Sequence, residues 1–103
     1  MSANLRLQHC PPVAHPNPSH GKPVKFHLGC GPYDRIECRI YSTGFRCVHR
    51  RDVVSREFGE DALEWDLRDD SGRPVANGLY YAVFRLKSGH EVKEYTCKVV
   101  VLR

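Results

Sequence analysis

No membrane-spanning run and no leader-like apolar core is read in these residues. No apolar run approaches the roughly 18–20 residues a span needs, and the opening Met1-Ser2-Ala3-Asn4-Leu5-Arg6 has no apolar h-region. An exported form would therefore be a mature piece or a part of something longer. No stretch longer than a turn repeats apolar residues at the helical period of about 3.6. Catalytic signatures are missing too: there is no G-x-S-x-G, H-E-x-x-H or G-x-G-x-x-G. No C-x-x-C pair occurs, which disfavours zinc ribbons and thioredoxin-like redox motifs. Five cysteines (Cys10, Cys30, Cys38, Cys47 and Cys97) are an odd number, so at least one stays unpaired in a monomer. Three of them sit in apolar, β-rich runs and read as small buried hydrophobes. Both redox states fit the count, so the compartment stays open. Neither enzymatic activity nor a cofactor is expected.

What is present is one domain's worth of sequence. The 103 residues are 41% hydrophobic and 27% charged, which excludes disorder over most of the chain. A net charge of +4 is mild and does not by itself imply nucleic acid. Pro11, Pro12, Pro16, Pro18 and Pro23 fall within thirteen positions and exclude helix, so residues 1–23 read as a proline-rich extended arm or edge segment. Residues 24–103 read as the domain proper. There Val24, Phe26 and Leu28 alternate with polar neighbours, as do Ile36, Cys38 and Ile40. Ser42-Thr43-Gly44 makes a turn, and Phe45–Val54 reads as a polar returning strand with Cys47 turned inward. A short strand centres on Trp65. Leu79–Lys87 and Glu91–Leu102 form the clearest pair, a hairpin around Ser88-Gly89-His90. About seven strands with turn signals at 8–12-residue spacing predict an all-β, antiparallel sandwich of Ig-like or fibronectin type III-like kind.

Candidate chemistry is sparse. His9, Cys10, His15 and His20 form the one cluster resembling a zinc site, but their spacing matches no standard pattern, and a solvated arm accounts for them better. Asp66, Asp69 and Asp70 invite calcium, yet Arg68 falls at a ligand position of the loop template and no bidentate Glu follows; a satisfied β-turn is the stronger account. Arg46, His49, Arg50, Arg51 and Arg56 lie near Phe45 and Phe58, as in single-strand binders, but Asp52, Glu57, Glu60 and Asp61 dilute the charge. Nucleic acid is not expected as a partner.

Three segments carry a resemblance. His15-Pro16-Asn17-Pro18 followed by Val24–Leu28 is similar to the opening of C-terminal Ig-like modules on bacterial exported proteins. Ile40-Tyr41-Ser42-Thr43-Gly44-Phe45-Arg46-Cys47-Val48 is loosely similar to their hairpin. Trp65-Asp66-Leu67-Arg68-Asp69-Asp70-Ser71-Gly72-Arg73-Pro74-Val75-Ala76-Asn77-Gly78-Leu79-Tyr80 resembles the W-D-G-x-D-x-x-G-x-x-V-x-x-G-x-Y signature of the Ig-like domain of flagellar hook-capping proteins, which recurs in sorting modules of type IX secretion. The likeness covers roughly residues 13–102. It marks Pro16, Asn17, Pro18, Tyr41, Gly44, Trp65, Asp66, Asp69, Gly72, Val75, Gly78 and Tyr80 as signature positions with structural roles. Leu67 stands where the signature has glycine, His15 where it has an aromatic, Ser42 where it has an acidic turn residue, and Gly44 comes one position early.

Independently of the likeness, Trp65 can plug a thin sandwich. Gly72 suits a positive φ, and Asp69 and Asp70 suit bonds to nearby backbone N–H groups. Tyr80 suits a tyrosine corner. The resemblance implies a non-enzymatic accessory module acting in secretion sorting, anchoring or assembly. Its partner would be a protein of the secretion machinery, envelope or an assembly, without membrane insertion, and its location secreted or at the cell surface. The polar edge Arg46–Val54 and the hairpin tip would face that partner, strand addition being one mode. The alternative is a free-standing small subunit of a filament or complex, cytoplasmic if Met1 opens a complete gene product. A chain ending at residue 90 is expected to lose a core strand and unfold; a cooperative melt from it would refute the strand assignment.

Overall fold

The structure is a computed structural model and describes residues 12–28, 33–54 and 63–103. Seven strands follow in order: β1 (Val13–His15), β2 (Val24–His27), β3 (Arg35–Ser42), β4 (Cys47–Val54), β5 (Glu64–Trp65), β6 (Gly78–Ser88) and β7 (Glu91–Val101). They form two antiparallel sheets, β1-β2-β5 and β4-β3-β6-β7. The chain is thus an all-β sandwich, and the described residues contain no helix.

Period-two patterning decides which side chains meet between the sheets. Ile36, Cys38 and Ile40 of β3 face inward with Tyr80, Ala82, Phe84 and Leu86 of β6 and Val99 and Val101 of β7. Val24 and Phe26 of β2 answer from the small sheet, Phe26 meeting Phe84 edge-on at 5.0 Å between ring centroids. β6 and β7 pair without a slip from Gly78↔Val101 to Ser88↔Glu91, so the expected hairpin is present in full. Its tip is tied down: Gly89 N–H donates to Asp34 Oδ2 at 2.6 Å, and Asp34 N–H to Lys87 O at 2.7 Å.

The returning strand begins at Cys47, not Phe45, because residues 43–46 are spent on the turn. A bulge between Ile40 and Tyr41 shifts the pairing there. As a result Cys47 lies across from outward-pointing Tyr41, while His49 comes opposite buried Ile40. Cys47 is therefore half-buried at the turn end, and His49 takes the inward role.

Residues 13–15 of the proline-rich segment are an edge strand, and the residues after them seal a second edge. The Asn17 carboxamide acts like a peptide unit laid along β7: its Nδ2 donates to Lys98 O at 3.0 Å and its Oδ1 accepts from Val100 N at 2.9 Å. Ser19 extends this seal. Its N–H donates to Val100 O at 3.0 Å, and its fully buried hydroxyl both donates to Leu102 O at 3.1 Å and accepts from Leu102 N at 3.0 Å. Gly21 N–H closes the row on Leu102 O at 2.6 Å. Unpaired backbone at a sheet edge is an aggregation hazard, and side chains here fill that role.

Each bond is worth about 0.5–1.5 kcal/mol net, more where loss strands a buried group. Ser19→Ala is accordingly expected to cost about 1–3 kcal/mol in denaturant unfolding and Asn17→Ala, more exposed, about 1 kcal/mol. Two variants indistinguishable from wild type would show that this seal carries no stability.

Candidate interaction surfaces

The Trp65–Tyr80 segment is organised around one buried ring. Trp65 packs edge-on against Tyr80 at 5.5 Å and stacks on His49 at 6.3 Å, so it touches β6 and β4 from the opposite sheet. Its Nε1–H donates to Arg68 O at 2.9 Å, which turns the chain out of β5. Asp66 Oδ1 accepts from Arg68 N at 3.1 Å. Val75 is buried, and its N–H donates to Leu67 O at 3.0 Å. Arg103 then clips this loop: its Nη2 donates to Leu67 O at 3.0 Å and Val75 O at 2.9 Å. Gly78 opens β6 at φ 151°, and Tyr80 O–H donates to Ala76 O, four residues upstream, at 2.7 Å. That is tyrosine-corner geometry at the start of the strand. Burial raises the Tyr80 phenol above its ordinary range, which keeps the hydroxyl a donor.

The two turns at this end of the sandwich share one design. In Asp69–Arg73, Gly72 N–H donates to Asp69 O and Asp69 N–H to Arg73 O, with Gly72 at φ 85°. In Ser42–Arg46, Phe45 N–H donates to Ser42 O and Ser42 N–H to Arg46 O, with Phe45 at φ 63°. Both are three-residue loops ending in a left-handed residue, and in both the first side chain accepts the fifth N–H: Asp69 Oδ1 from Arg73 at 2.9 Å, Ser42 Oγ from Arg46 at 3.3 Å. The early position of Gly44 is thereby explained: the left-handed site falls on Phe45, at a strain of about 1–2 kcal/mol that glycine would avoid. Leu67, where the signature has glycine, is likewise left-handed at φ 65°.

The expectation of strand addition along Arg46–Val54 meets an obstruction. Asp70 lies against that edge, its N–H donating to Val48 O at 2.9 Å and its Oδ1 accepting from Arg50 N at 3.3 Å. His49 Nδ1 also lies 3.3 Å from that carboxylate oxygen. Asp69 is held below the usual carboxylate range by the N–H groups of Arg73 and Ser71. All three carboxylates thus serve backbone N–H groups. Among the described residues no group of three or more His, Cys, Asp or Glu is placed to hold a metal, and His9 and Cys10 lie outside those residues. His15 and His20 are exposed.

The basic stretch is divided by strand alternation. Arg50 shares the outer face with Arg39, whereas His49 faces inward; Arg56 and Phe58 lie outside the described residues. Cys38, Cys47 and Cys97 are free thiols, and burial pushes Cys38 up to about 12, leaving it inert at working pH. Cys10 and Cys30 lie outside the described residues.

The outer face of the large sheet has two unlike ends. At one, Glu37 gathers Lys87 at 3.2 Å and Arg85 at 3.7 Å, Arg85 reaches Glu94 at 3.8 Å, and Arg39 meets Asp52 at 2.7 Å. At the other, Tyr41, Thr43, Phe45, Tyr81, Val83 and Thr96 line a groove of about 380 Å³. Tyr41 and Tyr81 are cross-strand partners, and Phe45 is 82% exposed. Sequence reading singled out Tyr41 and missed the groove; the only available signal was alternation, which sets Tyr41, Tyr81 and Val83 on the outward phase.

The fold defines an antiparallel seven-stranded sandwich of Ig-like type. Comparison with solved structures agrees: the chain is similar to a part of dimeric latent PorU from Porphyromonas gingivalis, 22% identical over 88% of this chain with a TM-score of 0.68. It is also similar to a part of PorZ, described as an essential bacterial surface component of the type-IX secretion system of the same organism, 22% identical over 89% of this chain with a TM-score of 0.56. The chain spans 9% and 11% of those two proteins, so the likeness is one of fold. No family model and no curated protein matches the chain.

Leu67 weighs strain against burial. Glycine there would relieve about 1–2 kcal/mol of left-handed strain but remove a side chain only 1% exposed, a loss of about 2–5 kcal/mol. Leu67→Gly is expected to lower stability by about 1–3 kcal/mol in chemical denaturation; a stabilised variant would show that strain outweighs packing here.

Proposed function

We propose that this chain is a non-enzymatic accessory module of an exported bacterial protein, acting at the cell surface by protein contact in sorting, anchoring or assembly. The observation that carries the reading is the pairing of fold and scale. Nearly nine-tenths of this chain matches about a tenth of PorU and of PorZ, the latter described as a surface component of type IX secretion, so a fold of this kind forms a small part of each of those longer proteins. The Trp65–Tyr80 signature supports the same class. The surface supports contact over catalysis: Asp66, Asp69, Asp70 and His49 are committed to backbone, ion-pair or stacking contacts, while an aromatic groove stays open on the sheet face.

The test is to fuse the full chain behind a reporter carrying a secretory leader, in a bacterium with a type IX system and in a strain lacking it. Surface display of the reporter in the first strain only is expected, and its loss when Trp65→Ala disrupts the sandwich. Equal retention inside the envelope in both strains would refute the sorting role.

A further inference from the structure

Phe45 is an exposed aromatic held in a left-handed conformation, at φ 63°. Its turn is built like that of Asp69–Arg73, where the left-handed position is Gly72, yet here the chain places its glycine one residue early and an aromatic in the strained site. The ring is not repaid by burial, being 82% exposed. What it does is wall the groove formed with Tyr41, Tyr81, Val83 and Thr96. Strain held at a bulky exposed side chain points to a contact outside the chain.

Charge around the groove says what kind of contact. The acidic groups of this face, Glu37, Asp52 and Glu94, belong to the other end and are each paired with an arginine or lysine. At the groove end the register places Lys98 beside Tyr81, and Arg50 in the row of Arg39 and Val83. Arg39 is neutralised by Asp52 at 2.7 Å. The Arg50 and Lys98 side chains reach no carboxylate within ion-pair distance among the described residues. They sit on the two edge strands, three strand spacings (about 14 Å at ~4.8 Å each) across and two residues (~7 Å) along, or about 16 Å apart in all. Residues four apart in an extended peptide rising ~3.3 Å per residue lie about 13 Å apart and point to the same face, and the long Arg50 and Lys98 side chains cover the remaining ~3 Å.

Resting on the reading of this module as a protein-contact domain, we propose that the Tyr41–Phe45–Tyr81 groove binds an extended acidic peptide segment of the partner: an aromatic or proline residue seated between the tyrosines and Phe45, bracketed by carboxylates about four residues apart that meet Arg50 and Lys98. The geometry resembles other aromatic grooves that read short extended motifs, where rings supply area and flanking charge supplies register.

The experiment is fluorescence anisotropy on the full chain with labelled, blocked peptides: a phenylalanine flanked two residues away on each side by glutamate, the same peptide with lysines, and the same with glutamines. The glutamate peptide is expected to bind at least tenfold more tightly than the lysine peptide and to weaken with added salt. Lys98→Glu and Arg50→Glu are each expected to cost about tenfold for the glutamate peptide and to improve binding of the lysine peptide. Phe45→Gly is expected to weaken binding tenfold while raising the melting temperature, a pair of opposite shifts that loss of fold cannot produce.

Equal binding of all three peptides, abolished by Phe45→Gly, would overturn the acidic specificity and leave the groove as a contact surface. Binding of heparin with no preference among peptides would reduce the site to a general anion patch and also overturn the proposal. No binding to any peptide, with Phe45→Gly merely stabilising, would overturn the groove as a docking site altogether; the sorting assay above would still stand or fall separately.

Discussion

Burial of Trp65 is the constraint on which the sandwich depends. The small sheet consists of strands of three, four and two residues, far too little hydrogen bonding to stand alone. It persists because its inward side chains meet the large sheet, and Trp65 is the largest of them. An indole of this size removes about 150–250 Å² from water, worth roughly 4–6 kcal/mol at 25 cal/mol per Å². The same ring touches Tyr80 and His49, and its N–H fixes the carbonyl from which the Asp69–Arg73 turn is built. A two-residue strand thereby governs a loop of more than ten residues.

That loop and the proline-rich segment do matching work at opposite edges of the large sheet. Asn17 offers its carboxamide to Lys98 and Val100 on β7, and Asp70 offers an N–H and a carboxylate to Val48 and Arg50 on β4. Through Arg39↔Arg50 and the β3–β6–β7 pairings these seals lie at the same end of the sheet, beneath the aromatic groove. Side chains that imitate a neighbouring strand close both edges there. The outer face between them is left as the surface through which this end of the domain can meet another molecule, which is why a sheet face suits contact here better than strand addition.

Some of this was legible in residue order. Alternation at Ile36-Cys38-Ile40 and Tyr80-Ala82-Phe84-Leu86 states which side chains face inward, because a strand has a period of two and a soluble sandwich needs one apolar face. Gly72 and the neighbouring aspartates announce a turn by their own backbone preferences. The start of β4 was not legible. Phe45 and Cys47 look like strand residues by type, and only the closure of Ser42 onto Arg46 shows that the turn consumes the intervening positions. The consequent bulge puts Cys47 and His49, two residues apart, on opposite faces, a change that no propensity records.

The amino-acid sequence by itself determined the class: all-β, antiparallel, near seven strands, with Trp65 and Tyr80 at its heart, since these follow from local periodicity, turn chemistry and the need to bury large rings. Tertiary structure alone decided which edges are sealed and where the aromatic groove lies. Asn17 meets Val100 and Tyr41 meets Tyr81 only when segments tens of residues apart are brought into register. The left-handed site at Phe45 likewise arises from the closure of one particular turn. Such juxtapositions are properties of pairing between strands, and pairing is set by the packing of the whole sandwich and by no one segment within it.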